Sequence, residues 1–375
     1  MEAIFIIGAT ISYFLALLVF TKNERSTADY VLGFWLGLFG LYFSTLYLNT
    51  FIDGYPLLFR MGFSMPILLG PVLYLYVLAM VNSDDRFKHV YWLHGLPYLL
   101  FNLYIMLILY FPAVKEMGIC FNVTYYSVSL FTVSFYLAIN PIYVIWALFK
   151  LRRHKKKISE NFSYTEQIDL VWLNYVVIFY GIWWLVILIS HLFTEYPVMA
   201  YSNLGYLIYL TLTIFLFLFG YFGLKQQAIY TNATPYKSKT DGADPVIEKK
   251  GSYQRSALKQ IEAKEYLEKL LDYFENERPY LKGKLNIKEV AESMNVSVNH
   301  LSQLINEQLS KNFYDFVNEY RVQEVKSRLA NPKHGKLTLL AIAYDSGFNS
   351  KSSFNSIFKK HTGFTPSQYL KQKAA

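Results

Sequence analysis

Residues 286–309, NIKEVAESMNVSVNHLSQLINEQL, and residues 337–366, LTLLAIAYDSGFNSKSSFNSIFKKHTGFTP, carry one helix grammar twice. In the first, Asn286 can cap a helix whose third residue is Glu289, the spacing of a capping box. Val290, Ala291 and Met294 face inward, Asn295-Val296 turns the chain, and Ser297 caps a second helix to about Leu309 with Val298, Leu301, Leu304 and Ile305 on its apolar side. Two short helices across a tight turn form a helix-turn-helix. In the second, Thr338 caps a helix that stops at Gly347, and Asn349-Ser350 restarts the chain into Lys351 to His361, with Phe354, Ile357 and Phe358 inward. Gly363 then closes that helix and Pro366 opens a last one.

Between the two copies the pattern predicts a longer helix from Tyr314 to Leu329. Before them, Leu258, Ile261, Leu267, Leu270, Leu271 and Phe274 recur at helical spacing, with Pro279 just past the end. This helix has two readings, a dimer contact or a face packed on the first motif.

The rest of the chain is of another kind. The 375 residues are 54% hydrophobic, 18% aromatic and 17% charged, too apolar for an ordinary soluble domain. The excess lies before Lys225, in seven stretches long enough to cross a bilayer. These are Ala3 to Phe20, Ala28 to Leu48, Met61 to Val81, Val90 to Phe111, Tyr125 to Phe149, Leu170 to Phe193 and Tyr201 to Leu224. The positive flank of the first stretch, Lys22 and Arg25, follows it, which argues against a cleaved signal peptide.

Lys and Arg collect in cytoplasmic loops. Odd-numbered gaps hold Lys22, Arg25, Arg86, Lys88, Lys150, Arg152, Arg153, Lys155, Lys156 and Lys157, whereas even-numbered gaps hold only Arg60 and Lys115. The expectation is therefore a multi-pass inner-membrane protein with its N-terminus outside and everything after Leu224 in the cytoplasm. The run Lys150 to Lys157 is expected to set topology and to lie against anionic headgroups.

Polar residues inside spans are costly and default to functional suspects. His94, Asn102, Asn140 and His191 are the ligand-binding candidates. The alternative is that they only bond between helices, while Pro66, Pro71, Pro97 and Pro141 bend them. No His-Glu-x-x-His, Gly-x-Ser-x-Gly or P-loop motif occurs and no carboxylates pair within a span, so no catalytic residue and no cofactor is expected. Cys120 is the only cysteine, which excludes an intrachain disulfide and a Cys-rich zinc site; no metal ligand set is expected.

Of the net charge of +9, about +7 falls on residues 282–375, a surplus suited to a polyanion. Residues 225–257 are polar and without periodicity, and read as a flexible cytoplasmic linker with ends separated by roughly 30 Å. The expected organisation is a sensor region 1–224, a linker 225–257 and a C-terminal domain 258–375 with its core at 286–370.

The stretch Ala341-Ile342-Ala343, Gly347-Phe348, Phe354, Phe358-Lys359, Gly363-Phe364-Thr365-Pro366 and Tyr369 closely resembles the C-terminal signature of AraC/XylS-type transcription regulators. Leu301-Ser302 and Tyr320-Arg321-Val322 are similar to that family's first motif and linker helix. One departure is Ser310-Lys311-Asn312, where the family usually has a glycine after the first recognition helix. The whole arrangement resembles membrane-bound members with an N-terminal seven-transmembrane region, as in Bacteroidetes-type bacteria.

The resemblance implies that both recognition helices enter adjacent major grooves. Outward residues would then be Asn299, His300, Ser302, Gln303 and Asn306 on the first helix, and Lys351, Ser352, Ser353, Asn355 and Ser356 on the second. Asn and Gln suit adenine, and Lys351 suits guanine or phosphate. Lys359 and Lys360 suit the phosphate backbone. His300 has the alternative of packing beside its neighbours.

The expected fold is all-α: a seven-helix transmembrane bundle followed by a helical domain with two helix-turn-helix motifs. The expected function is membrane-anchored transcription regulation without enzyme activity. Expected partners are double-stranded DNA, the lipid bilayer, RNA polymerase and a second copy of the chain. The other class considered, a transporter or membrane enzyme with a helical regulatory or docking tail, has no motif in the spans.

Overall fold

The computed structural model describes residues 2–23, 25–51, 64–82, 89–110, 130–165, 168–193, 203–225, 252–331 and 337–374. Among them the chain is helical, with turns and one isolated antiparallel bridge, Phe162 to Asn286. It divides into two compact units, one of residues 1–152 and 170–237, the other of residues 153–169 and 238–375.

The first unit contains α1 (Glu2–Phe20), α2 (Thr27–Leu48), α3 (Pro66–Val81), α4 (Leu96–Tyr110), most of α5 (Leu130–Asn161), α6 (Val171–Phe193) and α7 (Asn203–Lys225). A capping box starts α2: the Ser26 side chain accepts from the Asp29 N–H, and Asp29 accepts from the Ser26 N–H. Lys22 pairs with the same carboxylate at 2.9 Å.

Trp35 on α2 centres the interior. Its ring meets Phe39 at 4.6 Å and Phe219 of α7 at 4.8 Å, and its N–H donates to the Leu69 carbonyl of α3 at 2.7 Å. The outer faces are as apolar as the inner ones, since Phe14, Leu17, Phe34, Ile182 and Phe217 are each more than half exposed. Helices hydrophobic on all sides need a non-aqueous surround or further protein.

Among the described residues, four helical stretches, Glu2–Phe20, Thr27–Leu48, Val171–Ile189 and Gly205–Leu224, are long and apolar enough to cross a membrane by length and composition. This is fewer than the seven expected. Of the third expected span, α3 supplies sixteen residues, and residues 61–63 lie outside the described set. The fourth is divided between a 3-10 turn, His89–Gly95, and α4. The fifth lies on α5, with residues 125–129 outside the described set. Arg60, Arg86, Lys88 and Lys115 also fall outside it, as does most of the expected linker, 226–251.

The second unit holds residues 153–169 together with α8 (Ser252–Asn276), α9 (Ile287–Ser293), α10 (Val298–Leu309), α11 (Phe313–Ala330), α12 (Leu339–Asp345), α13 (Lys351–Thr362) and α14 (Pro366–Ala374). Thus α8 takes in the last six residues, 252–257, of the expected linker. The unit has two cores that share one helix. Leu270 and Phe274 of α8, Val290 of α9, Leu301 and Ile305 of α10 and Phe313, Phe316 and Val317 of α11 build the first. Val322 and Val325, further along α11, join Ile342, Phe354 and Phe358 in the second.

Phe274 packs on Phe316 at 4.7 Å and on Tyr320 at 5.1 Å. The described apolar face of α8 is therefore spent on the first motif rather than left for a dimer contact; Leu258 and Ile261 lie outside the described side chains.

Candidate nucleic-acid interface

The three expected caps, at Asn286, Ser297 and Thr338, are made, and Ser350 adds a fourth. Asn286 accepts from the Glu289 N–H at 3.1 Å, Ser297 from the His300 N–H at 3.2 Å, Thr338 from the Ala341 N–H at 3.1 Å and Ser350 from the Ser353 N–H at 3.1 Å. Each such cap contributes about 1 kcal/mol and fixes where its helix begins. That start matters because the first turn of a recognition helix is the part that approaches base edges.

The turn of the first motif is held by Asn295 at φ 53, a left-handed position that Asn tolerates. Helix α10 ends at Leu309, where Ser310 occupies the left-handed cap at φ 52 and ψ 34. The residue that departs from the family pattern thus takes up the glycine's conformation.

On α10, Asn299, His300, Gln303 and Asn306 are exposed and Ser302 is half-buried, opposite buried Leu301, Leu304 and Ile305. Two of the amides are engaged on the helix. Gln303 donates to the Glu307 carboxylate at 2.7 Å, and Asn306 donates to the Ser302 carbonyl at 2.8 Å. The His300 ring lies edge-on to Tyr266 of α8 at 5.0 Å, which ties it to the protein while its residue stays exposed.

On α13, Lys351, Ser352, Asn355, Ser356 and Lys359 are exposed and Ser353 is half-buried. Lys360 is exposed too, but its ammonium pairs with Asp315 of α11 at 2.6 Å. It braces α13 on α11 as well as adding positive charge.

The turn of the second motif meets the segment before the first at Gly347, which has φ +90 in the turn after α12. A Cβ there would lie 2.2 Å from the Tyr280 carbonyl oxygen and 2.9 Å from Arg321 Nε. Arg321, 1% exposed on α11, donates through Nε to the Tyr280 carbonyl at 2.9 Å and through Nη2 to the carbonyls of Lys282 at 2.8 Å and Gly283 at 3.1 Å. Asn349 also donates to the Gly283 carbonyl, at 2.7 Å. The segment before the first motif is thereby bonded to the turn of the second. Sequence reading placed Arg321 only within a family motif and assigned it no task. A cation in the register of Val317 and Val325 was the signal, because it falls on the buried face of α11.

The four candidates in the first unit stand in different settings. His94 Nδ1 lies 3.1 Å from the Tyr143 hydroxyl, with Tyr74 edge-on at 5.3 Å. Asn102 donates back to the Tyr98 carbonyl of its own helix at 2.9 Å. Asn140, fully buried on α5, accepts from the Gly70 N–H and from the Tyr180 hydroxyl, both at 2.8 Å, and donates to the Pro66 carbonyl at 3.2 Å. Its amide is inserted at one turn of α3, and a Cβ on Gly70 would lie 2.4 Å from its oxygen. These bonds join α3, α5 and α6 through a polar group that would be costly to bury unpaired. His191 is on α6, with its side chain outside the described set.

A helix-turn-helix domain model matches residues 290–372, the stretch from α9 to α14. The C-terminal part of the chain therefore carries a helix-turn-helix domain. It is 34% identical over 91 residues to an uncharacterized HTH-type transcriptional regulator of Staphylococcus aureus, over 24% of this chain and 12% of that protein. It is 32% identical over 85 residues to an uncharacterized HTH-type transcriptional regulator in the cgkA 5' region of Pseudoalteromonas carrageenovora, over 23% of this chain and 48% of that protein. In both cases the match spans less than half of the relative. A solved protein of unknown function from Listeria innocua shares 30% identity, with a TM-score of 0.25 over 28% of this chain and 94% of that one.

Proposed function

We propose that this chain is a membrane-anchored one-component transcription regulator, in which the first unit senses a signal within the bilayer and the second binds specific sequences of double-stranded DNA. The observation that carries the reading is the pair α10 and α13. Each has an apolar side in its own core, a capped start and an exposed polar row, of Asn and Gln on α10 and of Lys, Ser and Asn on α13, and each is tied to the shared α11. Those side chains suit base edges and phosphates in a major groove. In this reading Asn299, Ser302, Gln303 and Asn306 face one half-site and Lys351, Ser352, Ser353, Asn355 and Ser356 the other. Lys359 contacts the backbone, Lys360 contributes charge while bracing α13, and His300 is at the edge.

Membrane anchoring is supported by the four long apolar helices and by the outward aromatic and aliphatic side chains of the first unit. The basic gaps favour a cytoplasmic second unit and an external N-terminus. Homodimerisation and contact with RNA polymerase belong to the same proposal as ways a bound regulator acts. Selection of random DNA duplexes on the full chain in nanodiscs tests the reading: enrichment of one sequence with two half-sites is expected, and recovery of no preferred sequence would remove it.

A further inference from the structure

The segment that follows the basic run of α5 is built into the second unit. Ser163, 1% exposed, donates its N–H to the Leu285 carbonyl at 3.1 Å and its hydroxyl to the same oxygen at 2.7 Å. Its own carbonyl accepts from Arg321 Nη1 at 2.9 Å and from Asn318 Nδ2 at 3.2 Å, and its Oγ accepts from Arg321 Nη2 at 3.0 Å. Next to it, Phe162 forms the antiparallel bridge with Asn286, the residue that caps α9. Every polar atom of Ser163 is thus bonded to residues more than 120 positions away in sequence.

The arrangement is specific. A guanidinium has five N–H donors in a fixed fork, and here, besides a bond to Asn318 on its own helix, the fork divides between two distant clients. One is Ser163; the other is the run of Tyr280, Lys282 and Gly283 carbonyls, which touches Gly347 of the second motif. A desolvated cation is costly unless its donors are filled. Withdrawing residues 162–163 removes two of the acceptors that Arg321 uses, the carbonyl and hydroxyl oxygens of Ser163. The residues before this segment are helical from Leu130 to Asn161, and the chain passes from the first unit to the second within that helix, after Arg152.

We propose that Asn161 to Tyr164 is the input site of the DNA-binding unit: a segment bound in the Arg321 cleft, through which a change in α5 reaches the junction of the two recognition motifs. The proposal rests on the regulator reading above. It assigns signal transfer to this short connection rather than to residues 226–251. Pulling or twisting α5 acts on Ser163, then on Arg321, then on the Tyr280–Gly283 run and the Gly347 turn. The relative placement of α10 and α13, which sets the half-site spacing a regulator accepts, follows from that junction.

The test uses the full chain in nanodiscs. With Cys120→Ser as background, Phe162→Cys and Asn286→Cys occupy a bridge pair whose spacing suits a disulfide. Rapid cross-linking under mild oxidation is expected, and cross-linking no faster than for Phe162→Cys with Ser293→Cys would overturn the docking. Hydrogen exchange gives a readout independent of DNA. In the unaltered chain, amides of 161–164 should be protected, and exchange at the rate of a free peptide would also overturn it. Ser163→Pro removes the N–H and the hydroxyl and should speed exchange about tenfold in 161–164, 279–285 and 345–349. Acceleration confined to 161–164 would sink the transfer step. Ser163→Ala, a milder change, should give a smaller effect in the same three places. DNA affinity of Ser163→Pro should fall about tenfold for the selected sequence. If the unaltered chain selects no DNA, the regulator reading fails, whereas exchange and cross-linking still decide the docking.

Discussion

Gly347 and Tyr280 are in contact through backbone alone: a Cβ on the glycine would stand 2.2 Å from the tyrosine carbonyl oxygen. Gly347 also has φ +90, so a side chain there is opposed twice, by conformation and by space. Gly363, at φ +80, has nothing within 4 Å of its Cβ position. Gly347→Ala should therefore cost about 3 kcal/mol, the sum of left-handed strain and overpacking, and Gly363→Ala about 1 kcal/mol. Urea unfolding of the second unit in the full chain, followed by exchange in α11, compares the two. Equal losses would show that the Tyr280 contact carries no energy.

Ser310 closes α10 in a left-handed conformation that a residue with a Cβ reaches only at a cost. Ser310→Gly should raise stability by about 0.5 to 1 kcal/mol, with DNA affinity unchanged. A lower melting midpoint would mean that the serine hydroxyl gives back more than the strain costs.

Glu307 holds the Gln303 amide at 2.7 Å and places a carboxylate on the face proposed for DNA. Glu307→Ala frees the amide and removes a charge that repels phosphate, so binding should tighten several-fold. Gln303→Ala and Asn355→Ala should each weaken binding to the selected sequence by about 1 to 3 kcal/mol and relax preference at one position. Lys359→Ala should weaken all sequences alike and lower the salt slope by about one. Fluorescence anisotropy across a salt series separates these patterns. Unchanged sequence preference in both amide variants would take Gln303 and Asn355 out of the interface.

His154 in the 153–169 segment is buried, and its Nε2 lies 3.0 Å from the Ile168 carbonyl. Burial holds its pKa below the ordinary 6.5, with Lys157 adding to the depression and the Ile168 bond and Asp169 opposing it. The unfolded segment then takes up the proton first, as pH falls through about 6.5. His154 should contribute full stability above that value and lose it below, towards its depressed folded pKa. Limited trypsin cleavage at Arg152 to Lys157 should rise between pH 7.5 and 5.5, after correction for trypsin activity. The rise should be absent in His154→Gln.

The charge alternation makes a topological prediction. A reporter joined after Leu224 should be active only as a cytoplasmic fusion. Activity restricted to the periplasmic form would separate the helix-turn-helix domain from chromosomal DNA.

Much of the second unit was legible because its signals are local. A cap needs a side chain three residues from its amide, and Asn286, Ser297 and Thr338 supply it as read. The inward rows of α10 and α13 follow from 3.6 residues per turn. The end of α10 was less plainly marked, since no glycine stands at 310–312; the structure shows Ser310 closing it in a left-handed conformation. The first unit was less legible: apolar length suggests spans, but an Asn inside one does not disclose its partners. Only the fold shows Asn140 spanning α3 and α6.

By itself, then, the sequence determined the helix starts and stops of the two helix-turn-helix motifs, their two outward polar rows and the apolar character of everything before Lys225. The tertiary structure decided that α8 spends its described apolar face on the first motif, that α11 serves two cores, and that Arg321 joins Ser163 to the run beside Gly347. The physical reason is range. Caps and helical periodicity act within four residues, whereas the Arg321–Ser163 bonds link positions 158 apart, and no local pattern reports which distant carbonyl will face a buried cation.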